Sequence, residues 1–265
     1  MYAYSIIVIN LKKTAYLDNN IFIDIEQNSL SIEDLRNNVD KNLADFFYSD
    51  FHLMEANEMT GKTNMELKRL MEKRLTIISS ITNNNYIEQE SPSNKVFKSK
   101  VSPSELFKSI THVLETKEKI KHVINSVSEQ QKVDFRNRYR IDPMRINNFS
   151  AQEVIEHVNT KSKSLGGLSI VEMVEKGLQN QTQGQPISMG HRFAGLFELL
   201  DLIGYWRDEC NNKSNYARLW DAGHSFLSSY FDYFITDDKR TRYKAKVAFQ
   251  IYGTKTIVIS SDGTE

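Results

Sequence analysis

A single cysteine, Cys210, stands among 265 residues. No internal disulfide or thiolate metal cluster can form around it, and a reducing, cytoplasmic setting is expected. Only four prolines and eleven glycines occur, too few for a turn-rich all-β fold, and this favours helices. Long apolar runs are missing too: none approaches the roughly 20 residues of a membrane span, so no membrane partner is expected. The opening MYAYSIIVINLKK is apolar for only a few residues, with neither a basic leading segment nor a small-residue cleavage site. It reads as a strand rather than a signal peptide. Charge of one sign is absent: 34 Lys+Arg balance 34 Asp+Glu, so no global field draws the chain to a polyanion. What remains, 40% hydrophobic and 26% charged, is an ordinary globular composition, long enough for one large domain or two small ones.

Strand and helix patterns alternate at the two ends of the chain. Tyr4 to Val8 is a short β-branched strand, and Thr14 to Leu17 is a second one that stops at Asp18-Asn19-Asn20 before the apolar helix start Ile21-Phe22-Ile23. Asp18 there either caps the helix or holds a cation beside its N-terminus. A capped helix from Ser31 to about Asn42 leads to the apolar strand Ala44 to Tyr48, then to a helix from Ser49. On that helix Glu55 and Glu58 share a face, a solvated one or one turned back to the sheet edge. His52 reads as a surface or packing residue. Trp220 to Ser260 reads as helix, strand, helix, strand: Asp221 and His224 share a helix face, and the strand Tyr233 to Thr236 stops at Asp237 and Asp238. A parallel strand delivers the residues after it to the carboxyl edge of the sheet, where α/β proteins bind ligands.

Between these ends the helical period dominates. Asn64 to Ser80 carries an apolar stripe, Asn83 to Asn94 reads as a polar loop, and a helix capped at Ser102 keeps its spacing to Val127. Two short helices come next, with capping signatures at Ser150 and Ser169, and an amphipathic helix spans Phe193 to Glu209. Residues 92–189 are therefore expected to be an all-helical insertion between two parts, 1–91 and 190–265, of one α/β core. The charge is uneven here. From Lys95 to Arg145 there are 12 Lys/Arg against 6 Asp/Glu, and Arg136, Arg138, Arg140 and Arg145 interleave with Phe135 and Tyr139. That composition is either a solvated basic helix face or a surface for a phosphate backbone and unstacked bases.

Asp18, Glu55, Asp221 and Asp238 thus succeed or flank strands that could bring them together, and an oxygen-only cluster suits Mg²⁺ or Mn²⁺. The segments Thr14-Ala-Tyr-Leu-Asp18-Asn-Asn20, Phe47 to Glu55, Asp221-Ala-Gly-His224 and Tyr230 to Asp238 together resemble the acid-bearing segments of PIN-domain nucleases. The resemblance covers somewhat over a third of the chain, and the long helical insertion departs from compact members. It implies a three-layer α/β/α fold around a mainly parallel sheet. It also implies metal-dependent hydrolysis of single-stranded RNA by Asp18, Glu55, Asp221 and Asp238, with Asp237 beside the metal. Asn20, His224, Thr236, Arg136, Arg138 and Arg140 would serve the substrate, and Asp232 would serve structure. A toxin or defence role, a cognate inhibitor protein and an oligomer fit the same resemblance. Two other classes share these residues: an inactive scaffold that binds RNA or a protein, and a structure-specific DNA nuclease.

Overall fold

In the strands nearest the centre, neighbouring apolar residues face opposite cores. Tyr16, Phe234 and Val258 enter one apolar cluster, whereas Ala15, Leu17, Ile235 and Ile259 enter another. Strands apolar on both faces are what a parallel sheet covered by helices on each side requires. The computed structural model describes residues 12–90, 93–109, 128–182, 186–208 and 212–265. Its elements begin with β1 (Lys13–Leu17), α1 (Asn19–Glu26), α2 (Ile32–Asn38), β2 (Leu43–Phe47), α3 (Asp50–Ala56) and α4 (Asn64–Thr82). They continue with β3 (Asn85–Gln89), β4 (Val96–Lys100), α5 (Pro103–Ser109), α6 (Glu129–Tyr139), α7 (Pro143–Ile146), α8 (Ala151–Lys163) and α9 (Ile170–Thr182). The last are α10 (Met189–Ile203), α11 (Asn212–Ser228), β5 (Tyr233–Ile235), α12 (Lys239–Tyr252) and β6 (Ile257–Ile259).

The main sheet has four parallel strands in the order β2-β1-β5-β6. On one face lie α1, α2 and α4, through Ile21, Phe22, Leu35, Leu75 and Ile78. On the other, α8 to α12 share one apolar cluster with Tyr16 and Phe234. The chain is therefore α/β, with helices on both faces of a parallel sheet, an arrangement consistent with three layers. The helices between α6 and α9 bury Ile146, Val154, Val158 and Val174 in the same cluster as α10 and the sheet, rather than closing around a core of their own.

The segment expected as a loop over Asn83–Asn94 instead opens an antiparallel hairpin, β3–β4, and β4 lies inside the stretch expected to be all helical. The hairpin extends the sheet past β2 through a bridge at Tyr48: Tyr48 N–H donates to Asn85 O at 3.1 Å and Ile87 N–H to Tyr48 O at 3.0 Å. Only Tyr86 and Ile87 of β3 are buried, so its polar residues conceal it from a hydrophobicity pattern. The helix expected over Phe193–Glu209 starts earlier and stops at Ile203, where Gly204 takes φ +86° and closes the last turn. The helix from Ser31 likewise ends at Asn38 rather than near Asn42. The strand expected at Tyr4–Val8, and the part of the helix expected over residues 110–127, lie outside the described residues. Among the described residues no helix is long and apolar enough to cross a membrane.

One buried ion pair anchors the helical layer that carries α1. Arg74 Nε donates to Glu26 Oε2 at 2.5 Å, and its Nη1 donates to Asn19 Oδ1 at 3.2 Å, at the first turn of α1. Removing one member of a buried pair strands the other charge. Arg74→Ala is therefore expected to lower unfolding free energy by about 3 kcal/mol in a urea titration, and Arg74→Met with Glu26→Leu to recover most of that loss.

Candidate functional site

Parallel pairing of β1 with β5, in the register Leu17↔Ile235, sets the residues just past the two strands side by side. Asp18 leaves β1 as the N-cap of α1, and its Oδ1 accepts from Asn19 N–H at 2.8 Å. Thr236 leaves β5, and its hydroxyl donates to Asp18 Oδ2 at 2.5 Å. Asn20 Nδ2 donates to both Asp18 Oδ2, at 2.8 Å, and Thr236 Oγ1, at 3.1 Å. Asp238 N–H in turn donates to Thr236 Oγ1 at 3.1 Å, while Asp238 caps α12 by accepting from Thr241 N–H at 3.0 Å. Asp18, Asn20, Thr236 and Asp238 are thus one hydrogen-bonded unit at the carboxyl edge of the sheet.

A second unit joins it from α3 and α11. His224, fully buried, lies 3.3 Å from Glu55 Oε2 through Nε2 and 2.7 Å from the Tyr16 hydroxyl through Nδ1. The Tyr16 oxygen is also 2.6 Å from Ser49 Oγ. Behind it, His52 is fully buried, with Nε2 2.8 Å from Leu17 O and Nδ1 accepting from Ser49 N–H at 3.0 Å. Since a carbonyl only accepts, His52 carries its proton on Nε2 and serves to fix the edge. When His224 is neutral, the same logic has its Nε2–H donate to Glu55 and its Nδ1 accept from Tyr16. Helices α3 and α11 approach closely enough for this because Gly223 has no side chain. A Cβ there would overlap the Phe51 ring.

The electrostatics show how closely the acids gather. Asp221 is half-buried by surface area yet tightly surrounded. Its carboxyl is held well above the usual range, first by desolvation and then by repulsion from Asp18, Asp238, Asp208 and Glu55. Asp18 is raised to about 6, chiefly by burial and further by Glu55, against the opposing pull of His224 and the Thr236 hydrogen bond. Asp50, at the start of α3, is also raised to about 6 by burial, despite hydrogen bonds to backbone and the pull of His224. Burial works to lower His224, but the Glu55 hydrogen bond and the charges of Glu55, Asp18 and Asp50 outweigh it and leave it raised. His52 is held well below its usual range by burial and by His224. Among the described residues, Asp18, Glu55, Asp221 and Asp238 form no ion pair with lysine or arginine; Glu55 meets only His224.

The side chains of the other expected residues turn away from this cluster or lie apart from it, although the Asp237 amide donates to Asn20 Oδ1 at 3.3 Å. Asp237 is exposed and turned to the C-terminal turn, where it accepts from Ser261 N–H at 2.8 Å and Ser261 Oγ at 2.7 Å. Glu58 is exposed beyond the end of α3. Asp232 sits at the far end of β5, accepting from Lys13 Nζ and from the Thr14 amide and hydroxyl. Arg136 is buried and donates to Leu202 O at 3.2 Å, whereas Arg138 and Arg140 are exposed. His52 takes the packing role among those its sequence allowed, whereas Tyr16, Ser49 and Asp50 went unforeseen. A tyrosine within a strand reads as core, and only its place two residues before Asp18, on the same strand face, hints that its hydroxyl reaches the edge.

No protein-family model, no curated protein and no solved structure matches this chain. The donor set fits a hard divalent cation in its chemistry, since all four carboxylates are oxygen donors and, among the described residues, none pairs with lysine or arginine. In position, no three His, Cys, Asp or Glu side chains among the described residues already converge as a metal site. Cation binding therefore requires carboxylates to turn: the Asp221 carboxyl has no hydrogen bond from the described residues, whereas Asp238 would have to share or release its Thr241 amide.

Asp18 and Asp50 have folded pKa values near 6, above the roughly 3.9 of an unfolded aspartate, and His224 is also raised. Raised groups stabilise the fold fully below their unfolded pKa and lose that contribution as pH rises through the folded value. The thermal midpoint without divalent cations is therefore expected to rise as pH falls from 7.5 to 5, and Asp18→Asn to flatten that rise. Gly223→Ala is expected to displace Phe51, lower stability by about 1–3 kcal/mol and loosen the His224–Glu55 contact, read as a shifted His224 titration by NMR.

Proposed function

We propose that the chain is a PIN-like, divalent-cation-dependent endoribonuclease that hydrolyses phosphodiester bonds in single-stranded RNA. The observation that carries this reading is the crowding of Asp18, Glu55, Asp221 and Asp238, from four separate elements, at the carboxyl edge of a parallel sheet, with His224 as the one basic side chain among the described residues that pairs with them, through Glu55. Like charges gathered without compensation raise one another's pKa and favour a bound cation. Asp18, Asp221 and Asp238, with Glu55 assisting, would hold a Mg²⁺ or Mn²⁺ ion, which would supply an acidified water and neutralise charge on the phosphate. The chain's own residues do the positioning. Thr236 and Asn20 fix the Asp18 carboxylate through Oδ2, and His224 holds Glu55 in line from Nε2. The exposed Arg138 and Arg140 offer charge to an RNA backbone. The division into a discontinuous core, 1–91 and 190–265, and an insertion, 92–189, that carries β4 besides its helices belongs to the same proposal. So do a cytoplasmic location, a toxin or defence role, a cognate inhibitor and an oligomeric state.

One observation favours a second reading, a non-cleaving scaffold that binds RNA or a protein. Three donors, Asn19 N–H, Asn20 Nδ2 and the Thr236 hydroxyl, already satisfy Asp18. The test is cleavage of mixed single-stranded RNA, with a DNA junction in parallel, by wild type, Asp221→Asn and Asp238→Asn in Mn²⁺, Mg²⁺ or EDTA. Metal-dependent cutting of RNA is expected from wild type and should fall by more than roughly 100-fold in each variant. Cutting of the junction alone would instead make the substrate DNA, and binding without cutting would favour the scaffold.

A further inference from the structure

Beside the acidic edge lies a cavity of the opposite character, about 370 Å³, between α6, the segment after α10 and the start of α12. Its walls carry four cationic side chains, Lys132, Arg136, Arg207 and Arg240, against the carboxylates Glu129, Asp201 and Asp208. Two of those carboxylates are neutralised from behind. Buried Arg218 reaches Asp201 at 3.3 Å and Asp208 at 3.5 Å, and buried Lys244 reaches Asp208 at 2.8 Å. Lys132 adds a bond to Asp201 at 2.9 Å. The cavity is therefore net positive at its mouth, where Arg207 and Arg240 are exposed. Arg240 touches Asp208 only at 3.9 Å, and Arg207 has no ion pair among the described residues.

The cavity is continuous in chain and in field with the carboxylate edge. Arg240 comes two residues after Asp238, Arg218 precedes Asp221 by one helical turn, and Asp208 is close enough to raise the Asp221 carboxyl. An aromatic pair flanks it. Trp206, next to Arg207, stacks on Tyr243 with ring centres 4.4 Å apart and planes 12° apart, and Lys239 Nζ lies 4.8 Å from the Trp206 ring. Exposed guanidinium groups beside an aromatic stack match the chemistry of a nucleotide phosphate with its base nearby.

We infer that this cavity receives a phosphate of a nucleic-acid strand adjoining the phosphodiester presented to the carboxylates, with Arg207 and Arg240 as its principal contacts. The inference rests on the proposed nuclease reading for its placement, but binding alone can test it. An acidic edge repels a polyanion, and a cationic cavity next to it holds the strand while leaving the carboxylates for a cation.

The experiment compares wild type with Arg207→Ala/Arg240→Ala for binding a labelled single-stranded RNA 12-mer and its DNA counterpart by anisotropy, in EDTA and across a salt series. Thermal midpoints check folding, and the Arg207→Lys/Arg240→Lys variant checks charge. The double alanine variant is expected to bind at least about tenfold more weakly, with the salt slope reduced by about 0.7 for each phosphate no longer neutralised, and the lysine variant to recover part of both. Weaker binding of RNA, of DNA or of both supports the cavity and identifies the strand it takes. Unchanged affinity and slope overturn it even if wild type cuts RNA with Mn²⁺, and so does a wild type that binds neither strand. Weakened binding by a variant of a protein that never cuts leaves the cavity standing and removes the nuclease reading instead.

Discussion

The hydrogen bond from Thr236 to Asp18 joins positions 218 residues apart, and the edge of the molecule is arranged around it. It exists because β1 and β5 run parallel and in register, so that each strand ends where the other does. The rest of the edge depends on this one adjacency. Asn20 bridges the two residues from the first turn of α1, and Asp238 turns the chain into α12 while its amide bonds the same threonine. Helix α11, packed over β1, then brings Asp221 and His224 above the junction. Slipping β1 by one residue would turn Asp18 and Tyr16 to the opposite face, and slipping β5 would carry Thr236 away from Asp18; either would dissolve the group.

Acidic residues in this protein live under two regimes. Away from the edge, several buried or half-buried carboxylates are matched to bases: Glu26 to Arg74, Asp201 to Lys132 and Arg218, Asp208 to Lys244. Attraction to these bases outweighs burial at Asp201 and holds its carboxyl below the usual range. At the edge the balance reverses: Asp18 and Asp50 rise to about 6, and Asp221 is held well above the usual carboxylate range. The edge acids, by contrast, pair with no lysine or arginine among the described residues, and that difference singles the group out more sharply than any one residue does.

The strands over Thr14–Leu17, Ala44–Tyr48 and Tyr233–Thr236 were legible because short apolar runs end abruptly in polar or acidic residues, and a strand covered on both faces has that pattern. The same rule placed Asp18 and Asp238. The β3–β4 hairpin was hidden because only Tyr86 and Ile87 of its first strand are buried, and polar residues on a sheet edge look like a loop. Arg136 looked like a neighbour of the exposed Arg138, yet it turns inward to Leu202 O, a choice made by tertiary packing that helical spacing does not encode. The Tyr16–His224–Glu55 chain was equally silent. Its members lie up to 208 residues apart in sequence, and each alone has an ordinary role in a core or on a helix.

The order of the strands has a temporal meaning. During synthesis β1 and β2 emerge early and can pair, but the neighbour on the other side of β1 is β5, which begins only at Tyr233. Until that segment leaves the ribosome, Asp18 has neither Thr236 nor Asp238 beside it, and the opposite wall of the edge does not exist. Long-range pairing of this kind is closed last. A chain that has not yet extended past β5 therefore carries Asp18 without its partners, and the edge is completed only once Thr236 and Asp238 have been added.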